Sequence, residues 1–273
     1  MPNALPDCDT LVLDRGFAHL GITFNRPASR NAMNDAMADE LEAVFAAIAA
    51  DASVRAVVLR GAGRHFCAGG DLKDMTDALA SPDDDGGDRL YYLNRRFGDL
   101  LQRVDAAPQA VIAVVHGAAR GAGFGLACVA DIVLVRADCS FAMPETGLGL
   151  PPAQILPFVA RRLGPYAARR LALTGRPMSG AEAVAAGLAV AAYDDEAALD
   201  EALHDTLKAV AGRGPTAIAQ TKRLIADLGR RPLSLVLDEG ARAVAESSRN
   251  GEGREGLAAF FAKRPPAWAP RDD

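Results

Sequence analysis

The sequence predicts an α/β protein with a helical C-terminal part. Two observations carry that prediction. Short apolar runs alternate with helical patterns as far as about residue 145, and from Pro152 onward the helical patterns dominate. No internal sequence repeat is visible.

Taken in order, "TLVLDRGFAHLGITF" reads as two short apolar runs around Asp14-Arg15-Gly16, a β-hairpin. Asn34 and Asp35 then offer N-caps to a helix whose Met37, Leu41, Val44, Phe45 and Ile48 recur at three- and four-residue steps. "VRAVVLRG" follows as a buried strand. The run "ASPDDDGGD" cannot bury apolar area and reads as a mobile surface loop. A helix from about Arg89 to Val104 carries Leu90, Leu93, Phe97, Leu101 and Val104 on one face, and strands follow at Ala110–Val115 and in "DIVLVR". These strands are apolar on both faces, as in a covered parallel sheet. Beyond them come helices ending at Gly164 and Gly175, a Ser179 to Glu182 capping box, and three or four further helices between residues 196 and 262. The shift in pattern divides the chain into an α/β core, 1–195, and a helical region, 196–273.

Composition excludes several classes of function. A chain of 273 residues that is 50% hydrophobic and 24% charged is an ordinary globular protein. The net charge of -5, with Lys and Arg scattered, offers no basic stripe for nucleic acid. Cysteines at 8, 67, 128 and 139 show neither zinc spacing nor a disulfide framework, so no metal is expected and reduced thiols are the default. The N-terminus has no signal-peptide pattern and no run reaches the ~18 apolar residues of a membrane span. A soluble, cytoplasmic protein is expected.

The chemistry is concentrated in "AVIAVVHGAARGAGFGLACVADI", a buried strand that runs into closely spaced glycines and a small-residue helix. A dinucleotide fingerprint wants G-x-G-x-x-G after the first strand of the fold. Here Gly121, Gly123 and Gly125 give G-x-G-x-G, Leu126 stands where the third glycine belongs, and the strand lies well into the chain. Small residues at a helix start can also serve packing alone. A second turn of the same kind, "HFCAGGDLKDM", follows the strand Val54–Leu59. Two such turns can each aim one backbone N–H at a common point, the geometry of an oxyanion hole. A third segment, "CSFAMPETGLGLPPAQILPFVARRLG", supplies the carboxylate of Glu145 in a Pro- and Gly-rich loop.

With these three motifs in this order, the sequence resembles the crotonase, or enoyl-CoA hydratase/isomerase, superfamily. The resemblance runs from "FNRPASRNAMN" at residues 24–34 to "AFFAKRPPAW" at 259–268. It implies a crotonase-like ββα spiral core, a C-terminal helical region that assembles trimers or hexamers, and an acyl-CoA thioester as substrate, with no separate cofactor. Matched residue by residue, it implies that Gly70 and Ala122 supply the oxyanion N–H groups and that Glu145 moves protons. Ala122 stands where the family usually has glycine, which a backbone donor tolerates. Arg26, Arg30 and Ala32 match the loop that borders the CoA nucleotide, and the backbone around Ala68 and Leu72 matches the adenine and pantetheine site. Asp71 lies in that same turn and reads as an N-cap. Phe260 and Lys263 match positions that reach CoA, often in a neighbouring subunit; core Phe and solvated Lys are the plain alternative.

The best-known hydratases of the family carry a second glutamate at the position matching Gly125. Its loss is shared with Δ3,Δ2-enoyl-CoA isomerases and with a branch that hydrates glutaconyl-CoA esters, and the sequence looks most like that branch, the isohexenylglutaconyl-CoA and methylglutaconyl-CoA hydratases. A glutaconyl ester carries its own carboxylate and a branch at C3, so a second buried Glu would add bulk and like-charge repulsion. Arg120 is a candidate partner for that carboxylate, or a solvated side chain; His65 and His116 read as structural. Three expectations remain: a hydratase of a branched, carboxylated enoyl-CoA, an isomerase using Glu145 alone, and a CoA-thioester binder without turnover.

Overall fold

The computed structural model describes residues 4–80 and 88–269 of the chain. Most of the acidic run expected as a surface loop lies outside the described residues. The first half of the chain gives β1 (Leu11–Gly16), β2 (His19–Phe24), α1 (Asp35–Ile48), β3 (Ala56–Gly61), α2 (Leu72–Ala80) and α3 (Arg89–Asp105). Next come β4 (Ala110–Val115), β5 (Ala118–Arg120), α4 (Ala122–Val129), β6 (Ile132–Arg136) and β7 (Ser140–Ala142). The helical remainder holds α5 (Leu156–Leu163), α6 (Pro165–Thr174), β8 (Met178–Ser179), α7 (Gly180–Ala185), β9 (Ala192–Tyr193), α8 (Glu196–Ala211), α9 (Pro215–Asp227), α10 (Leu233–Asn250) and α11 (Glu252–Phe261).

Six strands form the main sheet in the order β1-β2-β3-β4-β6-β9, parallel except for the hairpin β1/β2. A small second sheet, β5-β7-β8, lies beside it. The hairpin turn falls at Phe17-Ala18, not around Asp14-Arg15-Gly16 as the sequence suggests, with Gly16 opposite His19 and Ala18 at φ 58°. The register explains the difference: Leu20, Ile22 and Phe24 must all face the core, and β1 is an edge strand that can expose Asp14 and Arg15. The two-residue strands β8 and β9 fall where the sequence pattern is helical; strands so short carry no readable alternation.

The core occupies both faces of the sheet, as continuous apolar strands require. On one face α1, α3, α4 and α5 bury Leu41, Phe45, Leu101, Phe124 and Val159. On the other, Val58, Ile112, Val114 and Leu134 are covered by Leu199 and Val210 of α8. Asp195, the last residue before the expected helical region, caps α8 by accepting the Ala198 N–H at 2.8 Å. Lys222 of α9 is tied to the sheet by Asp131 at 2.6 Å and by the Gln109 carbonyl at 2.7 Å. Asn34 caps α1 through the Met37 N–H, and Ser179 and Glu182 close the capping box at α7. Among the described residues no helix is long and apolar enough to cross a membrane.

Because β3 and β4 are parallel neighbours, the two glycine turns leave the same edge of the sheet side by side. That edge, beyond the carboxyl ends of the strands, is where open α/β sheets place ligands. The loop after β2 is locked to it by one buried side chain. Asn31, with no exposed surface, accepts the Arg26 N–H at 2.9 Å and donates to the carbonyls of Ala62 at 2.8 Å and His65 at 2.7 Å. Arg30 and Asn31 both take left-handed backbone conformations, with φ 55° and 56°, and this folds the loop back over the first glycine turn.

Candidate active site

The first turn is held by a short run of sheet-like pairing. Ala68 donates to Arg30 O at 3.0 Å, Met33 to Gly69 O at 2.7 Å and Asp71 to Met33 O at 2.8 Å. Gly69, at φ 109°, makes the bend that only glycine adopts easily. Pairing takes up the amides of Ala68 and Asp71 and leaves the N–H groups of Gly69 and Gly70 without an acceptor among the described residues. Asp71 then caps α2, accepting the Lys73 N–H at 3.0 Å, and its carboxylate pairs with Arg26 at 2.9 Å.

The second turn is clamped to the first. Cys67 donates to Ala118 O at 3.1 Å and Arg120 donates back to Cys67 O at 2.9 Å. Gly123, in the first turn of α4, packs so closely that a Cβ there would lie 2.7 Å from Cys67 Cβ. The Ala122 N–H opens α4 and, like the other N-terminal amides of a helix, has no intrahelical acceptor. The N-terminus of α4 therefore presents partial positive charge to the cavity that Gly70 also lines. His65 accepts the Ala118 N–H at Nδ1, 3.2 Å away, and His116 Nε2 reaches Gly63 O at 3.0 Å. Burial lowers the pKa of both histidines, which fits neutral rings that brace the turns.

Glu145 begins a single 3-10 turn, Glu145–Leu148, whose end is set by Gly149 at φ 75°. Gly121 shows how the three motifs meet. A Cβ built on it would lie 2.8 Å from Glu145 Oε1 and 3.5 Å from Gly69 Cα. Glu145 is half-buried, and its Oε2 is a buried atom with no hydrogen-bond partner among the described residues. Burial pushes its carboxyl above the ordinary value, and only a backbone hydrogen bond opposes the shift.

These groups line a cavity of about 1010 Å³. Of the sequence-predicted residues, Arg30, Ala32, Ala68, Gly70, Asp71, Leu72, Ala122 and Glu145 line it. Four others do not. Arg26 spends its guanidinium on Asp71 and on Ala32 O at 2.5 Å, so it braces the loop instead of facing the cavity. Gly125 is buried inside α4, in contact with the side chains of Ile155 and Leu101. Phe260, 77% exposed, and Lys263 stand at the far end of the chain's last helix, outside this cavity. Arg120, the candidate partner for a substrate carboxylate, does not line it either; the cations that do are Arg30 and Arg96, the latter paired with Asp39. The sequence reading missed the apolar wall formed by Leu93, Phe97, Leu148, Leu150 and Ile155, and the amides of Asn94 and Gln154 beside it. The helical face of α3 announced Leu93 and Phe97 as apolar but not that they look into a cavity. Among the described residues no group of three or more His, Cys, Asp or Glu is placed to hold a metal ion.

Residues 18–271 match the family model described as enoyl-CoA hydratase/isomerase. The solved structure of AtuE from Pseudomonas aeruginosa is 49% identical, with a TM-score of 0.92, covering 96% of this chain and 100% of that one. The 1,2-epoxyphenylacetyl-CoA isomerase of Escherichia coli is 33% identical across 90% of this chain and 93% of its own length. The 2,3-dehydroadipyl-CoA hydratase of the same organism is 30% identical across 96% and 99%.

Outcomes at two residues follow from this geometry. Glu145→Gln keeps the shape but cannot cycle a proton, so turnover of a CoA ester should fall by roughly 10² to 10⁴. A raised folded-state pKa means that the native carboxyl gives stability below its unfolded value and loses it as pH rises through the folded value. Thermal melts should therefore show Glu145→Gln above the native protein at pH 8, with the gap closing toward pH 4; a gap that widens on acidification contradicts a desolvated carboxyl. At Gly70, a Cβ meets no protein atom within 4 Å, so Gly70→Ala should melt with the native protein while keeping the amide. Gly70→Pro deletes the amide and should cost roughly 10² to 10³ in rate. Circular dichroism checks that the proline variant is folded; if it is folded and fast, the donor is another group.

Proposed function

Since the chain belongs to the enoyl-CoA hydratase/isomerase family, we propose that it adds water to a branched enoyl-CoA whose acyl group carries a second carboxylate, of the isohexenylglutaconyl-CoA type. The observation that carries the reading is the convergence at Gly121 of both glycine turns and a single desolvated carboxylate.

The steps follow from the thioester. The water oxygen bonds to C3 and the double-bond electrons move into the carbonyl, leaving an enolate-like oxygen. That oxygen is held by the Gly70 and Ala122 N–H groups at the N-terminus of α4. The water proton passes to Glu145. As the carbonyl re-forms, the same carboxyl delivers a proton to C2, so the ester gains one water and Glu145 returns to its starting form. A carboxyl with a raised pKa suits both halves of this cycle, because it takes and gives the proton at modest cost.

Three further features support the substrate class. The apolar wall from Leu93 to Ile155 suits a hydrocarbon tail, and Arg30, Arg96, Asn94 and Gln154 are among the lining groups able to donate to a carboxylate. One relative is named for an ester that carries a second carboxylate. A methylglutaconyl ester would use the same groups with a shorter tail. The isomerase reading rests on the same single carboxylate: Glu145 would take a proton from C2 of a 3-enoyl ester and return it to C4. We propose a cytoplasmic setting, in keeping with four cysteines that all stand as free thiols.

We also propose a trimer or a hexamer. The helices α9 to α11 bury only Val236 and Ala259, while Ile225, Leu237, Val244, Phe260 and Phe261 are exposed. So much apolar surface on adjacent helices suits contact with further copies of the chain, which could bring Phe260 and Lys263 toward a neighbour's CoA.

An ester panel tests the reaction. Isohexenylglutaconyl-CoA, methylglutaconyl-CoA, crotonyl-CoA and a 3-enoyl-CoA should separate the readings, because hydration removes the conjugated enoyl-thioester absorbance and isomerisation of the 3-enoyl ester creates it. The greatest kcat/KM should fall on the carboxylated, branched esters; preference for crotonyl-CoA contradicts the substrate class, and no reaction at all leaves only a binder. Sedimentation at micromolar concentration should show three or six copies, and a stable monomer contradicts the assembly.

A further inference from the structure

Gly125 lies three residues beyond Ala122 in α4, on the same side of the helix as the oxyanion donor. A Cβ there would lie 2.7 Å from Ile155 Cγ2, 3.3 Å from Ile155 Cβ and 3.2 Å from Leu101 Cδ1. The nearest obstacle belongs to a β-branched side chain, which has little rotamer freedom with which to move aside. Ile155 is only 4% exposed, yet it lines the cavity that Ala122 and Glu145 also line. Its carrier, the Pro-rich segment before α5, is anchored at both ends. The Glu145 carbonyl accepts the Leu150 N–H at 3.0 Å, and the Ile155 carbonyl accepts the N–H groups of Phe158 and Val159 at 3.0 Å.

We infer that Ile155 is a specificity-determining residue: it fills the seat over Gly125 and makes the cavity wall next to the Ala122 donor a hydrocarbon surface. The two positions are coupled. A side chain at 125 has no room while Ile155 is present, and loss of Ile155 leaves a void over Gly125. For the acyl group, which here rests on the reading under Proposed function, this wall receives an alkyl branch at C3. It also keeps any further ionisable side chain away from the substrate's own carboxylate.

Two measurements test this, and neither needs turnover. In the first, Gly125→Ala, Ile155→Ala and the double variant are compared by thermal unfolding. Each single change should lower Tm, by roughly 2–6 °C for the overpacked Gly125→Ala and by about 5–12 °C for the Ile155→Ala cavity. The double variant should melt at least about 3 °C above the sum of the two losses, because removing Cγ2 makes the room the new methyl needs. Additive losses overturn the shared seat. In the second, the saturated esters 3-methylglutaryl-CoA and butyryl-CoA are titrated calorimetrically into native protein and Ile155→Ala. The preference for the branched ester should fall by about tenfold, the scale of a lost methyl contact in a hydrophobic pocket. An unchanged preference overturns the specificity role. A protein that binds these esters as stated but hydrates none of the panel fails the functional reading alone.

Discussion

The site depends on the pairing of Cys67 with the strand Ala118–Arg120. It consists of two backbone hydrogen bonds, Cys67 N–H to Ala118 O and Arg120 N–H to Cys67 O, tightened by the contact of Gly123 with Cys67. Amides can stabilise charge on a substrate oxygen only if they already point at it before the charge develops, since reorganising them during reaction costs what they would return. Here the two proposed donors sit on turns that follow β3 and β5, and the pairing fixes one turn against the other. The rest of the fold holds that arrangement in place. The main sheet sets the spacing of the turns, Asn31 locks the preceding loop over the first, and Gly121 N–H, bonded to Ala142 O at 3.0 Å, brings the chain that leads to Glu145 against the second.

Much of this was legible in the sequence, and the reasons differ by element. The parallel strands show as continuous apolar runs, and the caps at Asn34 and Ser179 show as residue types whose side chains satisfy helix amides. The glycines at 69 and 121 mark places where backbone must bend or approach closely, and the structure has both at positive φ. Direction was not legible. Arg26 and Arg30 lie four residues apart in one loop, and nothing in their spacing says that one turns inward to Asp71 while the other borders the cavity. That outcome is set by left-handed backbone at Arg30 and Asn31, a tertiary consequence of the buried Asn31 hydrogen bonds. Gly125 is a similar case. Its lack of a side chain is plain in the sequence, but the residue that occupies the space is thirty positions away, at the N-cap of α5, where the helical pattern does not say which residue it packs against.

The same logic separates the positive charges. Arg120 sits in the middle of the glycine motif, which makes it conspicuous in the sequence. In the fold its backbone does the work, pairing with Cys67, and its side chain lies off the cavity. Arg96 shows the reverse. It looks like an ordinary solvated residue on an amphipathic helix, and α3 brings it to the cavity wall, where Asp39 already partners it.

The electrostatics of Glu145 and α4 belong together. Glu145 Oε1 lies at the N-terminal end of α4, where a helix favours negative charge, yet its carboxyl titrates above the ordinary value. Burial is the cause of that shift, in keeping with an Oε2 that has no hydrogen-bond partner among the described residues. In the hydration proposed above, Glu145 would gain a proton and lose its charge just as the thioester oxygen acquired one. The negative charge would move from a poorly solvated carboxylate to an oxygen held by two amides, and the total charge in the cavity would not change. A step that only relocates charge within a fixed set of dipoles asks little rearrangement of its surroundings. On that proposal, the poor solvation of Glu145 in the resting protein favours surrender of its charge, and the desolvated carboxyl and the two amides would act as two halves of one device.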